Sequence, residues 1–87
     1  MKLEPRTARV LDLAATSQSR MLPVTAYGIV ARSRAPRLHY KIACKELDML
    51  ELNGFLRELP REWQARVFIL TQLGWKTTSV PKPPEVE

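Results

Sequence analysis

Residues 23–59, PVTAYGIVARSRAPRLHYKIACKELDMLELNGFLREL, carry the signals that decide the fold. Thr25 is placed to cap a helix, its hydroxyl oxygen accepting an otherwise unpaired N–H of the first turn. Ala26, Ile29 and Val30 then turn inward. Gly28 weakens that helix by about 1 kcal/mol relative to alanine. Pro36 ends it, because the residue before a proline is pushed out of the α region. A further helix begins near Leu38 or His39. At 100° per residue, its Ala43, Leu47 and Leu50 fall within about 60° of one another, with Ile42 and Met49 beside them. Asn53-Gly54 stops it, since glycine takes the left-handed cap geometry most cheaply. Phe55 to Leu59 then alternates as a strand does.

Working outward, Pro5 suits a first helical turn, where its missing N–H costs nothing. From Arg6 to Ala15, Ala8, Leu11, Ala14 and Ala15 recur at spacings of three and four, with Val10 and Leu13 beside them, which predicts an amphipathic helix. Thr16-Ser17-Gln18-Ser19 reads as a loop. On the other side, Arg66 to Thr71 is β-branched and aromatic and reads as a second strand, joined to the first by a hairpin loop over Pro60 to Ala65. Leu73, Trp75 and Val80 are placed to pack back on the body. The expected domain spans residues 1–76, followed by a disordered proline-rich tail over 77–87.

Eighty-seven residues with 45% hydrophobic side chains make one small domain with a modest core. One cysteine excludes an internal disulfide framework. No apolar run approaches the roughly 18 residues of a membrane span, and the N-terminus lacks the apolar segment of a signal peptide. The expectation is a soluble cytoplasmic protein with no membrane partner. The net charge of +5 is unevenly spread: residues 1–45 hold nine basic and two acidic residues, a formal +7, and residues 46–87 hold five and seven, a formal −2. Such asymmetry points to one face suited to a polyanion, nucleic acid first and an acidic protein surface second.

The order helix, helix, helix, strand, wing, strand is that of a winged helix-turn-helix, an α+β fold of three helices plus a two- or three-stranded β-wing. Over roughly residues 6–72 the chain resembles the DNA-binding domains of bacterial repressors of the MarR and PadR type. Thr25-Ala26 and Ile29 match their second helix. Leu47, Leu50, Gly54, Phe55 and Leu56 match the end of their recognition helix and the entry to the wing. Two departures stand out: the turn from Arg32 to Arg37 is about two residues longer than usual, and the long flanking helices that build MarR-type dimers are absent, which leaves the oligomeric state open. The resemblance implies a transcription regulator that binds double-stranded DNA, with the third helix in the major groove and the wing on the backbone. A palindromic operator would require a homodimer.

Lys41 and Lys45 lie opposite the apolar stripe of the third helix, and Arg37 continues their line. Arg32 and Arg34 sit in the turn. These cations suit phosphate, and arginine can also grip guanine. His39 and Tyr40 can donate hydrogen bonds to phosphate or to base edges. Asp48, one turn beyond Lys45, repels phosphate unless it is paired. Arg57, Arg61 and Arg66 suit backbone contacts from the wing, although Glu58 and Glu62 interleave with them. Trp63, at the expected hairpin tip, supports an alternative: a winged-helix interaction module, an inhibitor or adaptor, that binds an acidic protein partner. Nothing points to an enzyme. His39 and Cys44, the only histidine and cysteine, would diverge by about 140° on a helix. There is no phosphate-binding glycine loop and no metal-ligand spacing, so neither cofactor nor metal is expected.

Overall fold

A computed structural model describes residues 3–34, 37–60 and 65–83. They form a small α+β body of four helices and a two-stranded antiparallel sheet, a layout compatible with a winged helix.

The first helix, α1 (Pro5–Ser19), runs through the residues expected to be a loop. Thr16 and Ser17 turn their hydroxyls back along the helix and donate to the carbonyls of Asp12 and Leu13, each at 2.9 Å. Bonded this way, they do not compete for the backbone in the manner that usually favours turns. Gln18 adds a tertiary tie, its Oε1 accepting the N–H of Leu70 at 2.8 Å. The helix ends one residue later, and Met21 takes the left-handed conformation (φ 58°) with its side chain in solvent.

In α2 (Ala26–Arg32), Thr25 caps as expected, its Oγ1 accepting from the N–H of Gly28 at 3.0 Å. Ile29 is fully buried, with Ala26 and Val30 partly so. The helix stops at Arg32, several residues before Pro36, which lies outside the described residues. Buried Ser33 makes the stop. Its Oγ donates to the carbonyl of Val30 at 2.7 Å and accepts the N–H of Leu38 at 3.0 Å, so one side chain closes both ends of the turn.

The third helix, α3 (Tyr40–Leu52), starts one residue after His39, whose Nδ1 accepts the N–H of Lys41 at 3.2 Å. Ala43, Leu47 and Leu50 are buried, as their spacing predicts. Gly54 follows with φ 86°, the left-handed region where a side chain is strained. Strands β1 (Leu56–Glu58) and β2 (Phe68–Leu70) pair Leu56 with Leu70, Arg57 with Ile69 and Glu58 with Phe68. Val24 adds a short third edge, its carbonyl accepting the N–H of Phe68 at 2.9 Å.

The sequence signals predict no fourth helix, yet α4 (Gln72–Thr77) follows β2 directly. Thr71 caps it, accepting the N–H of Gly74 at 3.1 Å. Gly74 is pressed against the carbonyl of Phe55, where any Cβ would collide with backbone. That close approach lets Trp75 reach the core and leaves Leu73, expected to pack inward, about half exposed. Past the expected domain limit at 76, the Asp12 carboxylate accepts from Thr78 Oγ1 at 2.6 Å, Ser79 N at 3.0 Å and Ser79 Oγ at 2.8 Å. Val80 packs against the core beyond them. One core thus joins α1, α2, α3 and the sheet; each fully buried leucine, isoleucine or phenylalanine side chain contributes about 1.5–3 kcal/mol.

Candidate nucleic-acid interface

Burying Ala43, Leu47 and Leu50 forces the opposite side of α3 outward. Tyr40, Lys41 and Lys45 are all exposed there, with His39 exposed at its cap. No carboxylate among the described residues lies within ion-pair distance of Lys41 or Lys45. Their charges therefore face solvent unneutralised. Tyr40, 41% exposed, stacks on Tyr27 of α2, 70% exposed, with ring centroids 4.7 Å apart. Hydrogen bonding to the Cys44 thiol is the main cause that raises the Tyr40 phenol above its ordinary pKa, with the charge of Cys44 and burial adding to it. The phenol thus remains a protonated donor at neutral pH. Thr25, Tyr27, Tyr40, Cys44, Arg66 and Phe68 help to line a groove of about 490 Å³ where α2, α3 and the hairpin meet.

Arg66, expected to contact backbone phosphate from the wing, is engaged within the protein. Its Nη1 donates to Asp48 Oδ1 at 2.7 Å and its Nη2 to Glu58 Oε1 at 2.9 Å, with Glu51 Oε1 at 3.6 Å. The guanidinium also lies over the Phe68 ring, 5.0 Å from its centroid. The hydrogen bonds it donates to Glu58, then to Asp48, raise its pKa further above the ordinary arginine value. One cation thereby pins the hairpin to α3 and neutralises Asp48, the acid that would otherwise oppose phosphate on that helix.

The remaining cations separate. Arg57 is exposed on the outer side of β1, paired across the ladder with Ile69. Arg32, Arg34 and Arg37 line a second groove of about 760 Å³ together with Arg20 from the end of α1. Arg32 also donates to the carbonyl of Gly28 at 3.2 Å. Arg61 and Trp63 lie outside the described residues.

Two side chains here carry no signal in the linear sequence. Tyr27 falls on the outward face of a two-turn helix, and no linear pattern pairs it with Tyr40. Arg20 belongs to the site only because α1 runs on past Ala15. Glu46, 3% exposed, is a third surprise: Arg6 Nε at 3.1 Å and Thr7 Oγ1 at 2.7 Å meet its carboxylate and lock α3 to α1. Among the described residues, no cluster of three or more histidine, cysteine, aspartate or glutamate side chains could hold a metal ion. No helix there is long and apolar enough to cross a membrane. Comparison with protein-family models, curated proteins and solved structures gives no match.

Proposed function

We propose that this chain is a winged helix-turn-helix DNA-binding protein that regulates transcription, with α3 entering the major groove of a duplex. The observation that carries this reading is the electrostatics of α3. Lys41 and Lys45 stand unpaired among the described residues, while the nearest acid on the same side, Asp48, is neutralised by Arg66. The element order supports it as well: α1, the Val24 edge, α2, α3 and a hairpin pinned behind α3. Tyr40 and His39, at the start of the helix, supply polar groups for base edges, where arginine, lysine and amide or hydroxyl groups commonly read sequence. Arg57, exposed on the hairpin, suits a backbone phosphate.

The test is titration of fluorescein-labelled duplexes by the full chain at several salt concentrations, followed by fluorescence anisotropy. Phosphate contacts make binding weaken with salt. Lys41→Ala combined with Lys45→Ala should lower affinity by about tenfold or more and reduce the salt slope by about two. Absence of binding to any duplex at low salt would sink the proposal, as would an unchanged affinity in the double variant. A mass measurement with and without DNA decides whether a second copy joins. The alternative, an adaptor for an acidic protein, draws on Trp63, outside the described residues.

A further inference from the structure

The cations expected on α3 and the turn before it fall into two groups. Lys41 and Lys45 stand on the exposed side of α3. Arg32, Arg34 and Arg37 instead join Arg20 in the groove between α1 and the α2–α3 turn, with Leu13 and Thr16 in its wall. No carboxylate lines this groove, and none among the described residues lies within ion-pair distance of Arg20, Arg34 or Arg37. Asp12, on the helix that Arg20 caps, is occupied by Thr78 and Ser79. The bond from Arg32 to the Gly28 carbonyl holds its guanidinium in place and leaves its other donors available.

Four guanidinium groups gathered without counter-charge repel one another in the free protein, so entry of an anion relieves a standing cost. Arginine is also the cation best shaped for phosphate, since its planar fork donates two parallel hydrogen bonds. We propose that this groove is a site for adjacent phosphate groups, distinct from the α3 face and supplied by the backbone of the bound duplex, with Arg20 as one of its ligands. The proposal rests on the DNA-binding reading for the source of the phosphates. It assigns the turn arginines to a backbone clamp reaching from α3 toward α1.

The experiment compares salt slopes for the full chain and its variants on labelled duplexes of unrelated sequence. Removing one phosphate-binding cation lowers the slope of log K against log salt by about 0.9. Arg20→Ala is expected to lower it by about that amount and to weaken all duplexes alike, whereas Arg20→Lys keeps the slope. Arg20 is exposed, and an unchanged circular dichroism spectrum checks that the variant folds. If Arg20→Ala and Arg34→Ala with Arg37→Ala leave the slope intact while Lys41→Ala with Lys45→Ala lowers it, the groove proposal is overturned and the DNA reading stands. If no duplex binds, that reading fails, and inorganic tripolyphosphate is titrated against the arginine Nε–H resonances. Saturable shifts of Arg20, Arg34 and Arg37 that vanish in Arg20→Ala then assign the groove to free polyphosphate; their absence overturns it.

Discussion

Arg66→Ala removes a cation that Asp48, Glu51 and Glu58 share and that also covers the Phe68 ring. The Arg66 side chain is 35% exposed and that of Asp48 is 54% exposed, so solvent screens these pairs. Each is worth about 0.2–1 kcal/mol at such exposure, and the 3.6 Å approach to Glu51 belongs at the bottom of that range. The cation over Phe68 adds about 0.5–1 kcal/mol. The expected loss is about 2 kcal/mol, which for a domain of this size lowers Tm by about 8–16 °C. Urea unfolding followed by tryptophan fluorescence measures it. In 1 M salt the Debye length shrinks to about 3 Å, so the gap to the parent protein should narrow to roughly the aromatic part, about 1 kcal/mol. The variant also leaves Asp48 unneutralised beside Lys45. DNA affinity should fall because the freed Asp48 carboxylate opposes phosphate, and Asp48→Asn in the same chain should restore much of it. A loss of stability under about 0.5 kcal/mol would refute the strut, a cost no larger than that of an ordinary surface substitution. Failure of Asp48→Asn to restore binding would instead return Arg66 to the phosphate ligands.

Three further outcomes are expected. Arg6→Ala strands the buried Glu46 carboxylate with Thr7 alone; because the Arg6 side chain is 53% exposed, the cost should fall below the usual 3–5 kcal/mol for a broken buried pair, at about 1–2 kcal/mol in urea unfolding. Gly74→Ala drives a methyl into the Phe55 carbonyl and should cost about 1–3 kcal/mol, as overpacking does, seen as a lowered Tm and reduced Trp75 burial by fluorescence quenching. In Cys44→Ala the Tyr40 phenol is deprived of the main cause of its raised pKa. An ultraviolet titration should then show its midpoint moving down toward 10. The raised pKa also means that Tyr40's contribution to stability is complete below its unfolded pKa and lost as pH rises through the folded one, so it is fully present near neutrality and fades only in alkali.

The central segment is legible because its signals are local. Thr25 caps within three residues, Ala43, Leu47 and Leu50 declare one helical face, and Gly54 relieves strain that any other residue would meet. The parts that the sequence hides depend on distant partners. Thr16 and Ser17 look like loop residues until their hydroxyls fold back onto Asp12 and Leu13. A glycine in the middle of QLGWKT argues against a helix, and only the Phe55 carbonyl on the other side of it explains the choice. Thr78 and Ser79 read as the start of a tail because their partner, Asp12, lies 66 and 67 residues earlier.

The candidate site divides along the same line. Periodicity alone turns Lys41 and Lys45 outward, since the apolar residues of α3 leave those positions no other side. Charge alone cannot say which cations remain free, because an arginine in a hairpin looks the same whether it meets solvent or three carboxylates. That difference is decided where the hairpin folds onto α3 and sets Arg66 between Asp48 and Glu58. The same holds for Arg20, which joins the arginines of the turn only when α1 packs beside α2. Spacing along the chain governs the direction of a side chain on its own element, whereas the company it keeps is set by packing between elements.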